Sequence, residues 1–524
     1  MAVLARGRTI KILLILTVIF VLGQPMVSSG NCDPPTYVGY GGTGTVSGSL
    51  HSLTLCNRTF LVDVGAFYGD EGENWPFHRD LCIDGIEAVF ITHAHADHVG
   101  RLPLLIKEGY SGPVYMTRVT YDLARVMLSA SVPYMDMGEE TFYYSRHNRD
   151  RITPVYLDGY DYGAFEVREE NRMYLTARRD QLEAMGYRVH FRLVDQLRDE
   201  LLQILDKQVI EVEYGELVRF GGECCTTEVE LIYVSHIPGS AMVRFDHGGE
   251  VFLFTGDIGG YHPFLQETEP LRSEIDWLFV EATYGVSCTD RDCRSGFRRY
   301  LGERIEEGHR IIIPSLVMDR SQQILHEISL GIEEGSIPVG VRVYLQSKTA
   351  STITAAYTLY SQDRESYSTF FADSFFEGGF SPVAHVRRTP SYLEPGEILI
   401  AAPGSVTSGG SLRAVKAYVG DSTTSFIFIS YQGPDSIGRP LLAGKESVRI
   451  DGVKYTVRAD IAYFNSFRGH ACLDEILELV GDVSPQRIFI VHSEEDDAHE
   501  VAQRYADEFG ESSVKVPLFG VAYQ

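Results

Sequence analysis

Four short apolar runs each lead into side chains that can bind metal or move a proton: "EAVFITHAHADH", "GEVFLFTGD", "IDWLFVEATYG" and "RIFIVHSEEDD". Runs this short, bounded by polar or glycine-containing turns, predict buried strands rather than helices. Helix-like stretches follow at 97–107, at 321–330 after "RIIIPSLVMDR", and at 497–509, so the chain reads as α/β. Glycine-punctuated alternation between residues 37 and 63 predicts antiparallel strands, and the charged stretch 161–207 predicts an inserted helical element.

At 524 residues with 44% hydrophobic content, the chain can build the cores of roughly two to four domains. Its 46 basic and 72 acidic residues leave a formal charge of −26, which disfavours loose attraction to nucleic acid or anionic lipid. Any polyanionic substrate must be met by a local cation or by metal. Arg6, Arg8 and Lys11 precede an apolar run at 12–22 and the small residues Val27, Ser28, Ser29 and Gly30. That order predicts a signal peptide or N-terminal anchor over 1–30, hence an exported or membrane-anchored protein if the leader is real and a cytoplasmic one otherwise. Eight cysteines permit disulfides in an exported chain without fixing their pairing.

His93 and His95 lie two apart, as residues projecting from one side of an extended segment do, and Asp97 and His98 sit where a helix can begin. Such a turn can aim three imidazoles and a carboxylate into one cavity, a donor set that suits zinc, and two groups on adjacent turns can hold two ions. His236 in "YVSHIPGSAM" and Asp257 in "FLFTGD" offer further ligands at later strand ends. Taken singly, a histidine after a strand is more often structural and a Gly-Asp more often a turn; their order after HxHxDH gives them weight. Glu281, His470 in "FRGHA" and His492 complete the candidates.

The series HxHxDH, His236, Asp257, Glu281, His470 and His492 resembles the metallo-β-lactamase superfamily. "VEATYG" soon after "TGD", the two late histidines and "YQGPDSIGRPLLAG" narrow the resemblance to the β-CASP nuclease family, which includes ribonuclease J and the cleavage and polyadenylation nuclease subunit. It extends over 37–524 and implies an α/β (α+β) chain. A four-layer αββα metallo-β-lactamase fold, 31–287 and 446–524, would be interrupted by an inserted α/β β-CASP domain at 288–445 and would carry a helical insertion at about 150–212.

The resemblance also implies two Zn2+ ions, one on His93, His95 and His236, the other on Asp97, His98 and His492, with Asp257 bridging. Asp97, Glu281 and His470 would be catalytic: the metals activate a water that attacks phosphorus, and His470, oriented by Glu281, protonates the leaving ribose oxygen. The implied partner is single-stranded RNA, with DNA as a second candidate; membrane association through the N-terminus and homodimerisation stay open. An exported hydrolase of a small ester, lactam or phosphodiester is the alternative, and a noncatalytic scaffold ranks below both because no ligand position is lost.

Two departures bear on substrate binding. Many members carry Ser and then Gly or Ala before the histidine that here follows Phe467, Arg468 and Gly469. Arg468 could grip a phosphate through its planar fork or sit in a salt bridge. The loop "APGSVTSGG" resembles the family's Gly-Met-rich loop without its Met, and makes Ser405 a substrate-binding candidate in a phosphate-facing nest, a plain loop being the other reading. Arg294, Arg298 and Arg299 offer either a nucleic-acid path or a solvated helix face.

Overall fold

The structure is a computed structural model in which residues 33–67, 77, 80–131, 141–144, 152–153, 190–222, 225–286, 294–378, 380, 385–386, 392–481, 483–510 and 513–524 are described. The leader and Cys32, Cys224, Cys288 and Cys293 lie outside them. The hairpin His51–Leu55 to Arg58–Val62 turns at Cys56 and Asn57, whose φ values of 48° and 64° match the twist of adjacent strands. Thr36–Gly39 pairs antiparallel on one side of it, and Ile86–Phe90, Val114–Met116 and Val209–Glu211 extend it in parallel on the other. With Ala522–Tyr523 at the edge, they form a seven-stranded sheet.

A second seven-stranded sheet runs Val218–Gly222, Cys225–Tyr233, Ala241–His247, Glu250–Phe254, Trp277–Glu281, Arg487–Val491, Val514–Lys515. The sheets meet over an aromatic layer that includes Tyr37, Phe60, Phe90, Phe245, Phe254, Phe279 and Phe489. Phe254 stacks on Phe279 at 4.0 Å between centroids, and Phe279 on Phe489 at 4.8 Å. Each such buried ring contributes about 1.5–3 kcal/mol. Leu473–Val480 and Glu495–Phe509 bury Ile476, Leu479, Val501 and Tyr505 in the core on the outer face of the second sheet. Leu102–Lys107 and Arg118–Ser131 bury Leu102, Leu105, Leu123 and Leu128 with Val89 and Val114 of the first sheet. The result is the αββα sandwich expected from the sequence.

The inserted domain is a six-stranded, wholly parallel sheet ordered His385–Val386, Val343–Leu345, Ile398–Ala401, Arg310–Pro314, Thr424–Phe428, Asp460–Tyr463. Helices such as Arg294–Glu306, Arg320–Glu333 and Gly409–Tyr418 cover it. Its central strands are buried along their length, as parallel strands covered on both faces are. This sheet runs beyond residue 445, the end expected from the sequence, because Asp460–Tyr463 pairs with Thr424–Phe428.

Of the expected helical insertion, the described part is 152–153 and 190–212. It contains the helix Val194–Gln208 but also strands, since Ile152–Thr153 and His190–Leu193 both pair with Thr141–Tyr144. Strand pairing there is decided by the distant partner segment, which a local reading of charge and helix propensity could not supply. Cys56 and Cys472 are disulfide-bonded, and Cys82 is a free thiol. Among the described residues no helix is long and apolar enough to cross a membrane.

Candidate metal centre

The HxHxDH segment leaves the strand Ile86–Phe90 extended, and His95 opens the short helix Ala96–Val99. This turn is pressed against the loop after Arg58–Val62: a Cβ at Gly65 would lie 1.5 Å from the Asp97 carbonyl oxygen, so only glycine lets the two backbones approach. Arg101 fastens the contact by donating to the Gly65 and Gly48 carbonyls. Asp63, at φ 62°, accepts from the Thr92 N–H at 2.8 Å and from His98 Nδ1 at 2.7 Å. His98 Nε2 is thereby turned toward the cavity.

Two groups of ligand atoms converge there: His93, His95, His236 and Asp257 in one, and Asp97, His98 and His492 in the other. His95 Nδ1 is 3.1 Å from His93 Nε2 and 3.0 Å from His236 Nε2. His236 Nδ1 donates to the Gly469 carbonyl at 2.8 Å, which fixes the tautomer and leaves Nε2 bare. Asp257 lies between the groups. Its Oδ2 is 3.4 Å from both His93 and His236, and its Oδ1 is 3.1 Å from His98 and 3.3 Å from His492. His492 holds the left-handed conformation at φ 49°, with its N–H on the Gly42 carbonyl at 2.6 Å.

The donor set fits metal ions. Burial pushes His93 and His236 well below the ordinary imidazole range and His95 to about 4, so these rings are neutral donors. Burial opposes ionisation of Asp97, but His492, 3.8 Å away, and His98 prevail and bring it to about 2. The same contest leaves Asp257 well below the carboxylate range, through His492 and His98. Burial likewise opposes a charge on His98, yet Asp257 and Asp63 hold it well above 6.5. Asp257 Oδ1 is buried among these rings without accepting a hydrogen bond. A cation resolves both anomalies, the orphaned carboxylate oxygen and the lone pairs aimed at one another.

Beside this cradle, His470 Nδ1 is 2.9 Å from Glu281 Oε1. Glu281 is itself fixed by the Ile258 N–H at 2.7 Å and by the Thr283 N–H and hydroxyl at 3.0 and 2.6 Å. Burial works against a charge on His470, but Glu281 and Asp257 outweigh it and raise its pKa to about 9. Tyr284 packs edge-on to His470 and accepts the Gly469 N–H at 3.0 Å.

The other candidates sit elsewhere. Arg468 is buried beneath Gly260, with Nη1 and Nη2 on Glu475 at 3.0 and 3.2 Å, the ion-pair alternative rather than the phosphate grip. Ser405 lies in the loop after Ile398–Ala401 and bonds within it, to Thr407. Arg294 and Arg298 share Glu327, and Arg298 also pairs with Glu334, so the path reading fits neither. Sequence reasoning missed Asp63, Thr283 and Tyr284. Asp63 ends the strand-like "FLVDVG" in the same way that Asp257 ends "FLFTGD".

Comparison with known families follows this architecture along the chain. The metallo-beta-lactamase superfamily matches residues 53–125, the Beta-Casp domain 321–441 and the Zn-dependent metallo-hydrolase RNA specificity domain 454–517. The sandwich and its cradle therefore define a metal-dependent hydrolase of the metallo-β-lactamase superfamily. Within it, the inserted parallel domain identifies the chain as a member of the β-CASP family. It is similar to Ribonuclease TTHA0252 of Thermus thermophilus, 28% identical over 471 residues, covering 88% of this chain and 93% of that protein. Transcription termination factor FttA of Methanothermobacter thermautotrophicus is 26% identical over 482 residues, 87% of this chain, which spans 66% of that factor. FttA of Pyrococcus horikoshii is 24% identical over 509 residues, with 91% and 69% covered.

Proposed function

We propose that this protein is a two-zinc phosphodiesterase that cleaves single-stranded RNA, with His470 as the general acid. The observation that carries the reading is Asp257, whose two oxygens face separate ligand groups and so suit a bridge between two ions. His93, His95 and His236 would hold one ion and Asp97, His98 and His492 the other. When bound, zinc would supply Lewis acidity that acidifies the attacking water and offsets phosphoryl charge.

The chain's own residues do the rest. Asp63 and the Gly469 carbonyl fix the tautomers of His98 and His236. Glu281 holds the His470 Nδ1 proton, so Nε2 can deliver its own to the leaving ribose oxygen. RNA as substrate is supported by the match to an RNA specificity domain and by the names of the relatives, one a ribonuclease. The disulfide-bonded Cys56 and Cys472 support export, because such bonds persist in oxidising compartments; fractionation of expressing cells tests this.

The deciding experiment incubates zinc-loaded protein with end-labelled RNA and DNA carrying either a 5′ phosphate or a 5′ hydroxyl. Chelator-sensitive RNA ladders are the expected result. Turnover confined to small esters or lactams would overturn the reading.

A further inference from the structure

One cation from the inserted domain reaches the metal cradle. Arg320 starts the helix Arg320–Glu333, and Nη1 is held at 2.5 Å by Asp319. Asp319 is buried and stands at φ 66°, a costly backbone state for a residue with a side chain. There its carboxylate also takes His262 Nε2 at 2.8 Å and Gln323 Nε2 at 2.5 Å.

Arg320 Nη2 rests on Gly469, where a Cβ would lie 1.8 Å from that nitrogen. Gly469 is the residue whose carbonyl anchors His236 and whose neighbour is His470. The guanidinium therefore stands beside the ligand cluster, and its charge acts on both His95 and His236.

Three nearby arginines spend two or more nitrogens on acceptors, Arg294 on Glu327 and Gln323, Arg298 on Glu327 and Glu334, and Arg468 on Glu475, whereas Arg320 meets its carboxylate, Asp319, through Nη1 alone. Among the described residues Arg320 donates one hydrogen bond, from Nη1, which leaves Nε and Nη2 for a ligand. Paired with Asp319 through one nitrogen, the guanidinium still turns its remaining donors toward a cluster built to bind cations, an unfavourable contact by itself. An anionic group lying between them removes the conflict and gains a charge-assisted hydrogen bond. In a chain of net charge −26, this is the local cation that a polyanion requires.

We propose that Arg320 is the phosphate-gripping residue of the site, donating from Nη2 and Nε to a nonbridging oxygen of the RNA backbone at the metal cradle. The proposal rests on the phosphodiesterase reading. Its consequence is that the substrate site is completed across the domain seam, by a side chain from one domain seated on a glycine of the other.

The test compares wild type, Arg320→Met, Arg320→Lys and Gly469→Ala as full chains. Three quantities are read: affinity for a labelled single-stranded RNA in chelator across a salt series, kcat and KM after zinc loading, and zinc content. Arg320→Met should raise KM roughly 10-fold or more and lower the slope of log affinity against log salt by about 0.7, the share of one phosphate contact on a single strand. Lysine should restore the slope but not KM, since it keeps the charge and loses the fork. Gly469→Ala keeps the guanidinium but denies it this position, so it should raise KM as well, and it answers the question if Arg320→Met fails to fold. Zinc content should not change in the two Arg320 variants. Unchanged KM and slope in the variants, with a wild type that cleaves RNA, would overturn the inference alone; a wild type that cleaves no phosphodiester would overturn the functional reading with it.

Discussion

Around the metal cradle, ligand-type side chains stand at the ends of sandwich strands and are held from within the sandwich, His98 by Asp63 and His236 by Gly469. At the seam, by contrast, Asp319 of the inserted domain gathers Arg320 and Gln323 from its own helix and His262 from the sandwich. The cradle is preorganised by one fold. The seam exists only when two folds are docked. Chemistry should therefore depend on the first and substrate grip on the second, and each can be disturbed separately.

The largest effect should come from the bridge. Asp257→Asn removes the charge shared by the two ligand groups, and kcat should fall on the order of 10^3-fold or more with loss of bound zinc. Retention of both zinc and turnover would show that the cradle does not work through this carboxylate. Next, His470→Ala should lower kcat on the order of 10^2-fold while zinc and KM persist. Its raised pKa carries a sign: the acid form is present at neutral pH and is lost as pH rises through about 9. Wild-type turnover should thus decline on the alkaline side, and this limb should be missing in the variant; an identical pH profile for both would exclude His470 as the acid.

Asp63→Asn should cost about tenfold in zinc affinity, measured by chelator competition, because His98 loses the partner that orients it. An affinity equal to wild type would mean that the Thr92 side of the loop suffices.

The smallest effect concerns stability. His51 is buried against Tyr37 and Ser49, and burial, aided by the charges of His98 and His492, lowers its pKa from 6.5 to about 3. The unfolded chain then takes up this proton first, so the contribution is complete above pH 6.5 and is lost as pH falls from 6.5 toward about 3. His51→Gln should flatten the decline of Tm over that range, and an unaltered slope would assign the acid sensitivity to other groups.

Much of the cradle was legible because strands are short and their ends are marked. His93, His95, Asp97 and His98 fall within six consecutive positions, and Asp257, Glu281 and His492 each close or follow a buried apolar run. Asp63 was overlooked although it closes a similar run, since a single carboxylate after a strand does not announce a partner. That the parallel sheet gains a strand beyond 445 was not legible, because Asp460–Tyr463 finds its partner more than thirty residues earlier, in Thr424–Phe428. Arg468 and Arg320 show the same difficulty in a sharper form. One follows a motif-like segment and is bound up with Glu475, while the other carries no motif and faces the cradle.

The sequence by itself determined the donor chemistry, the order of the strands that carry it and the class of fold, because residue type and strand period are local properties. Tertiary structure alone decided which oxygen of Asp257 faces which group, which nitrogen of each histidine is bare, and which arginine is left with hydrogen bonds to give. Those outcomes depend on partners brought together across the sandwich and the domain seam, whose separation along the chain leaves no spacing to read.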